Sequence, residues 1–392
     1  MKKNVYLIGA LIWIIIAIAA LAVLVVSISG ASISKNLPEW LKFASLGDSL
    51  SGAIDSNTPL LKEETLSLDN INEINVGTQY QSIKMALIDG GNITIRHYDQ
   101  ESAPAANIES SSGAININIP HRNLISINMM APRLEIDLPR EYSGGVKLET
   151  SSGTISLDEH AEWGQTTLSS SSGSIRINSG LKCGDINISS NSGSVNMGNV
   201  VAQTIKSSST SGLQRYEDII AVSDVSITTS SGSINCSNIE AADLKLRSTS
   251  GTIRAEGINA IGNVDISTSS ASQHVSALNA GTYDINSTSG AIRYDGLCGR
   301  GSINCTSGSI NCEDLDVRGD VTIISSSGTQ RLSLAPDQNF EVKISVTSGS
   351  IRASGIDLYY SDNQGKNAFG AVGDGSMGTL TIRSTSGSIN IN

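Results

Sequence analysis

The chain has 392 residues, 38 of them glycine, and a net charge of −11, which argues against a general nucleic-acid binder. Aromatic residues make up only 4%, leaving few platforms for base stacking, and five cysteines are too few for a disulfide scaffold. Length alone would allow two or three globular domains, but the uniform composition favours one elongated repeat domain.

Lys2 and Lys3 precede residues 5–26, an uncharged apolar run long enough to cross a bilayer as a helix. The lysines place the N-terminus in the cytoplasm and the remainder outside it, so residues 1–30 are expected to form a single-pass membrane anchor. A cleaved signal peptide is the competing reading, because Ser29-Gly30-Ala31 offers small residues for cleavage. Its apolar core would be unusually long, and the retained anchor is preferred. In the next stretch Asn36 can cap and Pro38 can start a short helix, whose Trp40 and Phe43 suit either a membrane interface or a cap over the first coil. Residues 31–65 read as a juxtamembrane linker and 66–392 as the repeat domain.

Strand alternation begins at Leu66-Ser67-Leu68 and continues through Ile74-Asn75-Val76, Ile93-Thr94-Ile95 and Ile115-Asn116-Ile117 with irregular spacing, as a terminal cap requires. A Ser/Thr-Ser-Gly-x-Ile pattern then recurs about every twenty residues. Its glycines are Gly113, Gly153, Gly173, Gly193, Gly212, Gly232, Gly251, Gly290, Gly308, Gly328, Gly349 and Gly387, with Ala271 in the one missing place. Apolar residues stand seven and five places before each glycine, as in Val225/Ile227 and Leu244/Leu246. They stand two and four places after it, as in Ile175/Ile177 and Val195/Met197, and seven places after it, as in Val200, Ile219, Ile239 and Ile258. This pattern predicts an all-β parallel β-solenoid, or β-helix, of about 20-residue coils behind one transmembrane helix. The glycine corners are expected to need positive φ, which would make Ala271 the strained corner. One coil cannot bury enough apolar surface to offset its own ordering, so the coils must stack. The last residues, Ser386 to Asn392, stop in mid-repeat, which leaves an edge to be blunted by polar side chains or paired end to end with another molecule.

Around Ile136-Asp137-Leu138-Pro139-Arg140 and Gly145-Val146-Lys147-Leu148-Glu149-Thr150-Ser151-Ser152-Gly153-Thr154-Ile155, followed by the repeats, the chain resembles a bacterial putative-adhesin family of β-strand repeats, from about residue 66 to 392. The resemblance implies a membrane-anchored or secreted envelope protein, in some members associated with envelope-stress signalling. It carries over no catalytic residues.

Little points to catalysis or cofactors. His97, His121, His160 and His274 lie far apart with no metal-ligand spacing, and no cofactor is expected. Gly373-Asp374-Gly375-Ser376-Met377-Gly378 matches a dinucleotide loop but precedes a strand, where a helix would be needed. Cys236 and Cys312 occupy equivalent inward sites and read as core packing, whereas Cys305 and Cys312 flank one corner and are the one pair considered for a disulfide. Acidic or amide residues recur eight places before the glycine, as Asp185, Asp224, Asp243, Asn263, Asp320 and Glu341. A turn-forming role is preferred to a calcium ladder. Tyr359, Tyr360 and Phe369 sit in a lengthened period and form a candidate binding loop, although rings tucked into a degenerate coil are the preferred reading. Gln214, Gln273 and Gln330 replace the inward isoleucine at every third coil, for which the sequence offers no physical reason.

Three places after each corner run Arg176, Asn196, Arg215, Asn235, Arg254, His274, Arg293, Asn311, Arg331 and Arg352. They predict an outward ladder. Its bland reading is solubility, and its functional reading is a basic stripe on an acidic solenoid that docks an anionic envelope polymer or lipid headgroups. Together these features predict a non-catalytic, membrane-anchored cell-surface protein with a binding, adhesion or envelope-stress role. Its partners would be the bilayer through residues 5–26 and an anionic envelope polymer, lipid headgroups or an envelope-sensor protein. The alternative is a β-helical polysaccharide lyase or hydrolase, but the short corners offer no groove for it.

Overall fold

The computed structural model describes residues 58–120 and 131–392. The expected anchor at residues 5–26, the Asn36–Phe43 segment and His121 lie outside the described residues. Among the described residues every regular element is a strand, and no helix is long and apolar enough to cross a membrane.

One coil shows how the repeat folds. In strand Asp224–Thr229, Val225 and Ile227 turn inward to full burial while Asp224, Ser226 and Thr228 face out. After the corner, strand Ile234–Ala241 buries Ile234, Cys236, Ile239 and Ala241. Neighbouring coils pair in parallel and in register, so Val225 lies against Ile205 on one side and Leu244 on the other. Like side chain stacks on like, and each coil covers the apolar edge its neighbour would leave open. The all-β parallel solenoid expected from the periodicity is the fold of these residues. Its third side also holds an inward column of small residues, Ala202, Ala221, Ala241, Ala260 and Ala280, behind the large Val200, Ile219, Ile239, Ile258 and Leu278.

The corner glycines are required for a different reason from the one expected. Among those that stack, only Gly328 and Gly349 have positive φ. A Cβ on Gly173 would lie 1.7 Å from the carbonyl oxygen of Gly153, one on Gly193 1.8 Å from that of Gly173, and one on Gly232 2.1 Å from that of Gly212. Each glycine therefore makes room for the backbone of the preceding coil. The hydrogen-bond ladder continues through the bend, where Ser230 and Ser231 donate to Ser209 and Thr210 carbonyls at 3.2 and 2.7 Å. The buried Ser/Thr three places before the glycine closes the corner, as Gly232 N–H donates to Thr229 Oγ1 at 3.0 Å. Cys305 takes this role in its coil and accepts from Gly308 N–H at 3.2 Å.

Left-handed backbone occurs six places after the glycine instead. Asn199, Asp218, Asn238, Gly257, Ala277, Gly296 and Asp314 stand in one column with φ between 51° and 73°. Asn, Asp and Gly tolerate this conformation, and Asn238 also donates to Asp218 Oδ1 at 2.8 Å. Ala277 is the poor fit, so the strain expected at Ala271 falls in the same coil but at its other corner. Gly113 is also reassigned. With Ser112 at φ 54° and Gly113 at φ 82°, it makes the hairpin turn between antiparallel strands Asn107–Ser111 and Ala114–Asn118.

Both ends of the stack are threaded out of chain order. Strand Glu73–Thr78 lies between Ala114–Asn118 and Gly145–Thr150, and strand Ser82–Ile88 lies between Arg133–Pro139 and Ile155–Leu157. At the other end, Thr379–Ser386 inserts between Ile310–Ser327 and Phe340–Ser348, and Ile389–Ile391 inserts between Gln330–Leu334 and Ile351–Ala353. The C-terminal strands thus have both edges paired within the chain, contrary to the free edge expected from the mid-repeat stop. Antiparallel strands close the ends: Leu60–Ser67 and Asn92–Tyr98 at one, Asn367–Val372 and Leu358–Tyr360 at the other. The chain enters the sheet at Leu60, within the stretch read as linker.

The inward glutamines now have a physical role. The side-chain amide of Gln214 donates to Thr228 O at 3.0 Å, that of Gln273 to Asn286 O at 2.6 Å, and that of Gln330 to Arg383 O at 2.7 Å. In each case the carbonyl lies four places before the corner of the next coil. Gln214 also accepts from Ser207 at 2.8 Å and Tyr216 at 2.9 Å, which builds a satisfied polar cluster inside the core.

Candidate binding face

Inter-coil register places the predicted ladder residues side by side. Arg176 pairs with Asn196, Asn196 with Arg215, Arg215 with Asn235, Asn235 with Arg254, Arg254 with His274, and His274 with Arg293. Asn311 and Arg331 follow. Sequence order then puts Arg331 next to Arg352, but the inserted C-terminal strand sets Asn390 between them. The threading thus extends the alternation of arginine and asparagine to the end of the stack. Like charges on adjacent strands repel, and the alternation doubles their separation to roughly 9.6 Å.

The six arginines Arg176, Arg215, Arg254, Arg293, Arg331 and Arg352 are exposed. Among the described residues, no side-chain hydrogen bond or ion pair engages any of them except Arg293, which lies 3.4 Å from Glu313. The face is not purely basic, however. Two residues further along the same strands stand Glu217, Ser237, Glu256, Ser276 and Asp295, in register with one another. A shallow groove of about 340 Å³ crosses the rows from Arg215 and Glu217 to His274 and Ser276. The acidic column occupies a second outward position, five places after the glycine, which the periodicity alone locates. A larger groove of about 620 Å³ lies by the left-handed corner, where Val201 and Ile220 are partly exposed beside Asp218 and Asn238.

The other candidates are dispersed. Tyr359, Tyr360 and Phe369 lie on the terminal antiparallel pair and are 67%, 50% and 51% exposed, so they do not tuck into a coil as preferred from sequence. The Tyr359 and Phe369 rings stack at 5.9 Å between centroids. The acidic column at the head of the first strand bonds between coils and not within its own turns as expected: Asp185 accepts from Thr204 Oγ1 at 2.6 Å, and Asp320 from Thr379 N–H at 3.0 Å. Among the described residues no group of three or more His, Cys, Asp or Glu is placed to hold a metal ion. All five cysteines are free, including Cys305 and Cys312. Burial pushes the Cys183 thiol up to about 11 and that of Cys312 up to about 12, which suppresses thiolate chemistry.

A family model described as Toastrack DUF4097 matches residues 71–277 and again 205–392. No curated protein matches the chain. Among solved structures, a putative cell adhesion protein from Clostridium sporogenes is 10% identical, with 84% of this chain and 98% of that one covered and a TM-score of 0.17. A putative adhesin from Parabacteroides distasonis is 13% identical over 71% of this chain and 98% of that one, with a TM-score of 0.43. A putative adhesin from Bacteroides fragilis is 15% identical over 69% and 99%, with a TM-score of 0.32.

Proposed function

Because the chain belongs to the Toastrack DUF4097 family, we propose that it is a non-catalytic binding and adhesion protein of the cell envelope, anchored by residues 5–26 with its solenoid outside the membrane. The observation that carries this reading is the register of exposed arginines at equivalent positions of alternate coils, all but Arg293 without a side-chain partner among the described residues. A globular site would converge on one substrate. A repeated column instead suits a linear ligand, here an anionic envelope polymer, held by many contacts that are weak one at a time. Because the contacts are solvent-facing, salt weakens them.

The test replaces Arg176, Arg215, Arg254, Arg293 and Arg331 with glutamine in the full chain and measures binding to wall polymer and to anionic liposomes at low and high salt. The expected result is loss of salt-sensitive binding to the polymer with an unchanged melting temperature. Equal binding by parent and variant would leave the arginines with solubility alone. For topology, protease added to intact cells is expected to remove the solenoid, and protection until the membrane is opened would reverse the orientation.

A further inference from the structure

From the two in-register columns of the candidate face, we infer that the solenoid binds a linear glycan whose repeating disaccharide carries one cationic and one anionic group. This rests on the polymer-binding reading above and specifies its ligand. Arg215 and Glu217 share one strand, as do Arg254 and Glu256, and Arg293 and Asp295, so both members of each pair project from the same face. The intervening rows, Asn235 with Ser237 and His274 with Ser276, carry neutral amide, hydroxyl and imidazole groups. From Arg215 to Asp295, rows bearing both charges therefore alternate with hydrogen-bonding rows; in the next coil Glu313 stands in register with Asp295 and lies 3.4 Å from Arg293, which ends the alternation. The full repeat is two strand spacings, roughly 9.6 Å.

Three observations favour an occupant with both charges over a polyanion. First, each carboxylate sits beside its arginine column and would repel a uniformly anionic chain at the same row where the arginine attracts it. Second, among the described residues Arg215, Glu217, Arg254 and Glu256 have no ion-pair partner, so the charges have not already neutralised each other. Third, the groove spans these rows, with room of about 340 Å³. The period selects a glycan over a peptide. An extended peptide repeats same-face side chains about every 6.7 Å, out of step with the rows. Two pyranose units of an extended chain approximate the two-coil spacing and present hydroxyls to the neutral rows.

Binding of the full chain in neutral detergent to three probes tests this: de-N-acetylated heparosan, in which a glucosamine amine alternates with a glucuronate carboxylate; its N-acetylated parent, which keeps only the carboxylate; and chitosan, which has only the amine. The de-N-acetylated polymer is expected to bind roughly ten-fold more tightly than either control. The triple variant Glu217→Gln, Glu256→Gln, Asp295→Asn should bring its affinity down to that of the N-acetylated parent, whose own binding stays equal or tightens. Both proteins must melt at the same temperature. Equal or tighter binding of the N-acetylated parent by the wild-type chain, or an acidic-column variant that loses nothing, overturns the inference while leaving the anionic-polymer reading intact. If the arginine-to-glutamine variant binds all probes as the wild type does, both readings fall. Absence of binding to the de-N-acetylated polymer also overturns the inference.

Discussion

At the scale of single residues, the corner column of glycines and the left-handed column of Asn, Asp and Gly act by different physics, and substitution separates them. Gly232 faces a carbonyl oxygen that a Cβ would approach to 2.1 Å. Gly232→Ala is therefore expected to destabilise the stack by roughly 1 to 3 kcal/mol through overpacking, although alanine adds the smallest possible side chain. Ala277 has the opposite problem, since its φ of 51° costs a Cβ-bearing residue about 1 to 2 kcal/mol. Ala277→Gly removes that cost but gains unfolded-chain entropy, for a net stabilisation of roughly 0.5 to 1 kcal/mol. Denaturant midpoints of the two variants check both signs. A neutral Gly232→Ala would mean the coils are not in the close contact described.

At the scale of elements, the N-terminal cap carries a buried acid whose titration should be visible. Asp99 on the loop after strand Asn92–Tyr98 accepts from Gln81 Nε2 at 2.9 Å and Tyr80 at 3.1 Å, with His97 Nε2 3.8 Å away. Burial alone would raise the carboxyl. The nearby His97 ring and the hydrogen bonds from Gln81, the Gln100 backbone and Tyr80 outweigh it and hold the carboxyl below its ordinary range. A depressed folded-state value stabilises the cap above the ordinary carboxylate range, and that contribution is lost as pH falls through the folded value. Protection factors of the amides in residues 60–99 are therefore expected to fall below about pH 4, before those of the central coils. Asp99→Asn should remove this acid-dependent step, and a parent cap whose protection factors stay flat down to pH 2 would contradict it.

Those same elements show why parts of the molecule were legible in sequence and others were not. Apolar alternation depends only on which side chains face inward, and it located Val225/Ile227 and the Arg176 to Arg352 ladder before any coordinates. The role of Gly232 depends on the distance between coils, and the role of Gln214 on a carbonyl in the next coil, neither of which a single repeat encodes. The left-handed column is readable in Asn199, Asp218, Asn238 and Gly257, residue types that tolerate positive φ, whereas a corner glycine looks the same in sequence whether it meets a conformational demand or, as here, a steric one. The position of Asn390 between Arg331 and Arg352 was out of reach, because periodicity assumes that chain order is stacking order.

At the scale of the whole solenoid, the out-of-order threading makes each terminal coil a wedge instead of a loose end. A stack of repeats frays from its outermost coil, since that coil has one neighbour and every inner coil has two. Here the last strands of the chain, Thr379–Ser386 and Ile389–Ile391, are inner strands with a partner on each side, and the outermost coil is formed by residues that come earlier. Removing residues 379–392 therefore deletes a middle layer. Phe340–Ser348 would then face Ile310–Ser327 across two strand spacings, roughly 9.6 Å, too far for either to hydrogen-bond the other. The expected outcome is loss of amide protection throughout residues 340–372, although none of them is deleted, while residues 166–305 keep theirs because each coil depends mainly on its nearest neighbours. Hydrogen exchange resolved by peptide checks both halves of the claim. Retained protection at 340–372 would show that this coil docks directly on its predecessor, and a collapse reaching residue 166 would show cooperativity well beyond nearest neighbours.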